Sequence, residues 1–343
     1  MASGQPATQH RIVRPDDCGK DGGVCAGPGR CVVSRALVVG GNGFIGAHLV
    51  QKLVDTGWDV TILHKYEQPR YSKMPTAVRF LRGDLTQESL LAEAVEDQEV
   101  VFHLLWTTTA IHEVANRDPA ADVQANLVPT IHLIEACRAA GVGRLLFTSS
   151  GGTVYGRTQT APIPEDHPNN PVNAYGVSKL AVEKYLQMFR HLHGLDFAIL
   201  RPSVPYGPHQ NPLARQGAVA VFLYRVAKGL PLTIWGDGRI SRDYFYISDL
   251  VDALILGGMQ PLNDQRIFNL GGSEEVSLNR LIAQVEKTVG RKAEVEYQPA
   301  RDFDAPRVLL DTTRAQTVLG WQPKVLMKDG LAKTWEWMQA TIL

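Results

Sequence analysis

An α/β fold, a doubly wound parallel sheet, is what this sequence predicts, and three observations carry the prediction. Short apolar, β-rich runs recur at residues 36–39, 60–63, 100–104, 145–147 and 198–200. Runs apolar at successive positions read as strands buried on both faces. Helix-like stretches lie between them at 48–55, 90–94, 127–140 and 174–193; such alternation gives a parallel sheet with helices on both sides. Third, the first strand runs directly into Gly40-Gly41-Asn42-Gly43-Phe44-Ile45-Gly46, and a helix follows.

That third observation is also chemical. Gly40 permits a tight turn, Gly43 lets backbone approach a pyrophosphate, and Gly46 lets the helix pack against the strand. The amides from Phe44 and Ile45 onward begin a helix whose N-terminus carries partial positive charge. The glycines therefore predict a Rossmann-type dinucleotide site. An acidic residue about 20 positions on usually binds the adenosine ribose. Here the second strand ends at His64-Lys65. His64 can hydrogen-bond a ribose hydroxyl and Lys65 can pair with a 2′-phosphate, so the expectation is NAD with NADP also compatible. Asp84 and Leu85, in Gly83-Asp84-Leu85, are expected at the adenine, though Asp84 also suits a helix N-cap.

The 35 basic and 35 acidic residues balance, which gives no reason to expect nucleic acid or an acidic membrane as partner. Hydrophobic residues make up 44%, enough for a large core. No apolar run is long enough to span a bilayer, and no basic segment with an apolar core opens the chain, so a cytoplasmic location is expected. Residues 1–34 read as a tail. Their Cys18, Cys25 and Cys31 follow a C-x6-C-x5-C spacing that matches no familiar zinc pattern, and no metal is expected. Residues 35–204 read as the dinucleotide-binding domain, with a segment around 240–270 returning to it. Residues 205–343 read as a smaller, mixed α/β substrate lobe.

Tyr175-Gly176-Val177-Ser178-Lys179 places a phenol and an ammonium four residues apart, on one helix face. A free tyrosine titrates near ~10 and is a poor base at neutral pH. A neighbouring ammonium favours the phenolate and makes the phenol a usable acid/base. Taken alone, the pair is better read as an ordinary exposed i,i+4 pair. With Ser149-Ser150…Val154-Tyr155-Gly156, Arg201-Pro202…Tyr206-Gly207-Pro208, Arg242-Asp243-Tyr244, Asn269-Leu270-Gly271 and Arg301…Asp304-Ala305-Pro306, the chain resembles the extended short-chain dehydrogenase/reductase family. The likeness is to its UDP-glucose 4-epimerase-like branch and covers nearly all of residues 36–340.

The resemblance implies Tyr175 as general acid/base and Lys179 as its electrostatic partner. It implies Ser149 at the cofactor, Arg242 and Arg301 on a diphosphate, Asp304 in the substrate site, and a homodimer through a four-helix interface. The apolar Val177, Ala181, Leu186 and Met188, spread around one helix, agree with burial on two sides. Four departures stand out. Gly151 replaces the usual catalytic Ser or Thr, leaving Thr153 as the expected substitute hydroxyl. Val204 replaces an Asn, Leu105-Trp106 replaces small residues after the fourth strand, and Pro129 stands where Gly is usual. Gly152-Thr153 occupies the place of the acidic residues that dehydratases and decarboxylases of this family use. The expected activity is 4-epimerisation of a UDP-hexose. A keto-sugar-nucleotide reductase and a non-catalytic dinucleotide-binding regulator are the alternatives.

Overall fold

The computed structural model describes residues 34–67, 73–108, 116, 118–301 and 305–343. The tail with its three cysteines and Asp304 lie outside the described residues. The chain runs β1 (Arg35–Val39), α1 (Phe44–Asp55), β2 (Asp59–His64), β3 (Val78–Arg82), α2 (Glu88–Val95) and β4 (Val100–His103). It continues through α3 (Pro119–Asp122), a π-helical turn (Val123–Leu127), α4 (Val128–Ala140), β5 (Arg144–Thr148), α5 (Ala174–His193) and β6 (Phe197–Pro202). Then come β7 (Val204–Tyr206), α6 (Ala218–Lys228), β8 (Leu232–Trp235), β9 (Ser241–Arg242), β10 (Tyr244–Tyr246) and α7 (Ile247–Met259). The last part holds β11 (Ile267–Leu270), β12 (Val276–Ser277), α8 (Leu278–Val289), β13 (Val295–Gln298), β14 (Arg307–Val308) and α9 (Met327–Thr341).

Seven strands form one sheet in the order β11-β6-β5-β4-β1-β2-β3. Every neighbouring pair is parallel. The predicted doubly wound sheet is therefore present, and the strand order reverses between β1 and β4. Ligands bind such sheets at the carboxyl ends of the strands, beside that reversal. The side chains explain why the strands read as unbroken apolar runs. Ala36, Val38, Ile62 and Phe102 join the core on one face with α1 and α7. Leu37, Val39, Leu63 and Val101 join the core on the other face with α4 and α5. Successive side chains point to opposite faces, so a strand covered on both sides must be apolar throughout.

Pro129 shapes the helix that follows β4. It has no N–H to close the usual helical bond, and its ring crowds the preceding turn. Just before it the helix widens into the π-helical turn, and Val128 N–H bonds Val123 O. Such widened turns are frequent at functional sites. Around this turn Asp122, Asn126 and Thr130 face the interior, where all three are buried. The smaller β10–β7, β12–β9–β14 and β13–β8 sheets form from segments after β6. Among the described residues no helix is long and apolar enough to cross a membrane.

Candidate active site

The glycine loop fits a dinucleotide for steric reasons visible in its own packing. Gly40 has φ +89, and a Cβ there would lie 2.9 Å from Leu105 N. A Cβ on Gly46 would lie 2.3 Å from Gly40 O. Gly43 is the N-cap of α1, and no side chain caps that helix. The first-turn amides, including those of Phe44 and Ile45, thus form a side-chain-free cradle at a helix N-terminus. At the end of β2, His64 Nδ1 accepts from the Tyr66 amide at 3.1 Å. Burial lowers its pKa. Lys65 Nζ lies 2.6 Å from Asp84 Oδ2. Asp84 Oδ1 also accepts from Thr86 N–H at 3.0 Å, an Asx turn ahead of α2 rather than its N-cap. Burial pulls the Asp84 carboxyl up, but the bonds from Lys65 and Thr86 prevail and hold it low. Leu85 is buried in the core beside it.

Tyr175 and Lys179 come from the first turns of α5. Asn173 caps this helix by accepting from Gly176 N–H at 2.8 Å. Lys179 is 3% exposed. Its Nζ donates to Thr148 O at 2.8 Å, which ties the helix to the end of β5. Burial pushes the ammonium well below the usual lysine range, against the opposing charges of Glu183 and Asp122. Burial also pushes the Tyr175 phenol up to about 12. A hydrogen bond with Ser150 lowers it, and the Asp122 charge raises it. In this state the phenol is a proton donor; a further positive charge beside it would favour the phenolate and bring its pKa down toward neutral pH.

Ser150 is the hydroxyl that the sequence reading missed. That reading placed Thr153 near the phenol, whereas the structure sets Ser150 against Tyr175. Gly151 follows from packing. A Cβ there would meet Leu310 Cδ1 at 2.3 Å and Arg201 O at 2.9 Å, so a Ser in that position has no room. Thr153 lines the same cleft. Its Oγ1 is buried without a hydrogen-bond partner among the described residues, as are Thr148 Oγ1 and Trp106 Nε1. Buried polar atoms are ordinarily paired, so a cluster of unpaired ones fits a polar ligand. Ser149 turns the other way: its hydroxyl donates to Glu183 Oε1 at 2.5 Å.

A buried network supports this site. Arg201 grips Glu183 with two nitrogens, one at 3.0 Å, and donates to the Tyr155 hydroxyl at 2.8 Å. Tyr155 in turn donates to Asn269 Oδ1 at 2.7 Å, joining α5, β6 and β11. On the other side Ser178 donates to Asp122 Oδ2 at 2.5 Å. Asn126 Nδ2 donates to Asp122 Oδ1 at 3.1 Å, and Asn126 Oδ1 accepts from Thr107 N–H at 2.8 Å. Asp122 was not singled out in the sequence. Its signal was its position four residues before Asn126, on the same helical face.

A cleft of about 340 Å³ opens over Ser150, Thr153 and Tyr175. Arg242 and Arg301 line it, as do Trp235, Val204 and Ala218. The Arg301 guanidinium stands 5.3 Å from the centre of the Trp235 ring. Arg242 projects from β9, and its Nη1 donates to Ser241 O at 2.7 Å. Its neighbour Asp243 faces inward, bonded by Ser203 and by Leu310 N–H at 3.0 Å. Burial pushes Asp243 up to about 7, against those bonds. Among the described residues, none lining the cleft is an Asp or Glu. Such a cleft suits an anionic ligand, since guanidinium forks match phosphate oxygens.

Comparison with known proteins agrees with this geometry. Residues 36–271 match the model of the NAD dependent epimerase/dehydratase family. The chain is 39% identical over 311 residues to a UDP-glucose 4-epimerase of Mycolicibacterium smegmatis, covering 89% of this chain and 98% of that one. Its fold superposes with a TM-score of 0.84 on a UDP-glucose 4-epimerase of Thermotoga maritima solved with UDP-glucose, at 32% identity over 89% of this chain and 99% of that one. A Thermus thermophilus UDP-glucose 4-epimerase solved with NAD gives a TM-score of 0.83 at 32% identity, covering 90% of this chain and all of the other, 100%.

Proposed function

Because the chain belongs to the NAD dependent epimerase/dehydratase family, we propose that it is a nucleotide-sugar 4-epimerase acting on a UDP-hexose with NAD. The observation that carries this reading is the Tyr175 phenol bonded to Ser150 beside a buried Lys179, under an arginine-lined cleft. NAD rather than NADP is supported by Lys65, which is engaged by Asp84 instead of standing open to a 2′-phosphate.

In this reading the amides from Gly43 to Gly46 hold the pyrophosphate, with His64, Asp84 and Leu85 toward the adenosine. Lys179 holds the ribose next to the nicotinamide. Bound NAD supplies reversible hydride acceptance at carbon 4. Tyr175 removes the proton of the 4-hydroxyl and returns it after the keto sugar has turned over. Ser150 and Thr153 offer hydroxyls to that oxygen. Arg242, Arg301 and Asp304 belong to the substrate side, within a lobe formed by residues 205–343. Gly152-Thr153, with no carboxylate, argues against elimination of water, which needs its own acid and base.

The reading includes a cytoplasmic homodimer. Val177, Met188 and Leu192 of α5 are 52%, 41% and 59% exposed. Their spacing of 11 and 15 residues puts them on one stripe of the helix, an apolar strip suited to a second copy. Incubation with a panel of UDP- and dTDP-sugars, followed by NMR of the products, tests the activity. A 4-epimer formed without added reductant is expected. Reduction only with added NADPH, or no conversion at all, would overturn it.

A further inference from the structure

Trp106 stands just after β4, where the resemblance puts small residues. Its ring centre lies 3.9 Å from Lys179 Nζ, and the Phe147 ring lies 4.6 Å from it on another side. The same indole meets the Tyr175 ring edge-on, with centres 6.1 Å apart and planes at 80°. Lys179 Nζ is 5.7 Å from the centre of the Tyr175 ring. A buried ammonium has lost its water, and an aromatic face replaces part of that hydration by attraction to the ring quadrupole. One residue thus touches both members of the acid–base pair.

We propose that Trp106 is a positioning residue for the Tyr175–Lys179 couple: its indole face fixes the ammonium, and its perpendicular packing on the phenol ring fixes Tyr175. The proposal rests on the acid–base reading of these two residues given above. In this role Trp106 transfers no proton and acts through Lys179 and Tyr175. The titratable groups that face Lys179 are Tyr175 and Glu183 on its own helix, Asp122 from α3 and His103 from β4. Glu183 is engaged by Arg201, and burial together with the Lys179 charge pushes His103 down to about 3, so it stays neutral. With Glu183 engaged and His103 neutral, Asp122 and the aromatic faces are what remain around the ammonium, and the Trp106 ring is the one that also meets the phenol.

Two substitutions separate this role from simple space filling. Trp106→Phe keeps an aromatic face; Trp106→Leu keeps apolar bulk without one. In lysine-labelled protein the Lys179 ε-methylene resonance should lie upfield through the ring current. It should stay upfield in Trp106→Phe and move most of the way back in Trp106→Leu. The acid limb of kcat/KM should shift up by about half to one pH unit in Trp106→Leu and hardly at all in Trp106→Phe. Equal behaviour of the two variants, in resonance and pH profile, would overturn the proposal. If Trp106→Leu does not fold, Trp106→Met fills the gap and the same shifts are expected. If the wild type converts no nucleotide sugar, the epimerase reading fails, while the lysine resonance still decides the role of Trp106.

Discussion

Two cations are buried within one turn of α5, and they are treated differently. Arg201 reaches α5 from β6. Its guanidinium is met by Glu183, the Tyr155 hydroxyl and the Glu165 carbonyl. Lys179 lies one turn before Glu183; among the described residues its Nζ donates to Thr148 O, and the Trp106 and Phe147 rings pack on two of its sides. A guanidinium with its fork filled is finished as structure. An ammonium has three donors, so Lys179 keeps capacity for a ligand. The contrast teaches how to sort buried charge: the satisfied ion holds the fold, and the under-bonded one marks the site.

Breaking each side should give opposite signatures. On the open side, Tyr175→Phe should cut kcat by about 10²–10⁴-fold, the usual range for a lost general acid/base. Thermal stability should hardly change, because the ring contact with Trp106 remains. On the closed side, Glu183→Gln should lower kcat far less than Tyr175→Phe does and cost about 3–5 kcal/mol of stability by leaving a buried guanidinium without its counter-charge. Denaturant unfolding reads that loss; a change within error would mean the pair is not structural.

Smaller effects sharpen the comparison. Ser150→Ala should lower kcat about 10- to 100-fold, the value of one hydrogen bond to a charged group, and Thr153→Ala should lower it less. The reverse order would restore Thr153 as the principal hydroxyl. Asp243 is a third kind of buried charge, held up to about 7 by burial. A carboxyl raised in the folded state favours the protein while protonated, and that contribution fades as pH rises from ~4, the unfolded value, through about 7. Asp243→Asn cannot ionise. The Tm of the wild type relative to this variant should therefore fall across that window, and parallel Tm curves would contradict the assignment.

Much of this was legible in the sequence. The β1, β2, β4, β5 and β6 strands fall within a residue or two of their apolar runs, because burial on both faces leaves no polar gap. The α5 helix runs from Ala174 to His193 as read, bounded by the Asn173 cap and by Gly194 at φ +73. The glycine loop was legible because backbone geometry demands those residues. Ser150 was missed because its contact with Tyr175 depends on how the end of β5 meets α5, and Leu310 closes the position next to it. Asp122 was missed for the same reason. Its spacing to Asn126 puts the two on one helical face, but only the fold brings Ser178 to it across 56 positions.

The central claim is that hydrogen leaves carbon 4 of the sugar as hydride and returns to it, while Tyr175 handles only the hydroxyl proton. Conversion of a UDP-hexose in heavy water, read by NMR of the 4-epimer, tests this directly. The expected product carries ordinary hydrogen on carbon 4. Deuterium at carbon 4 would show exchange with solvent and contradict it.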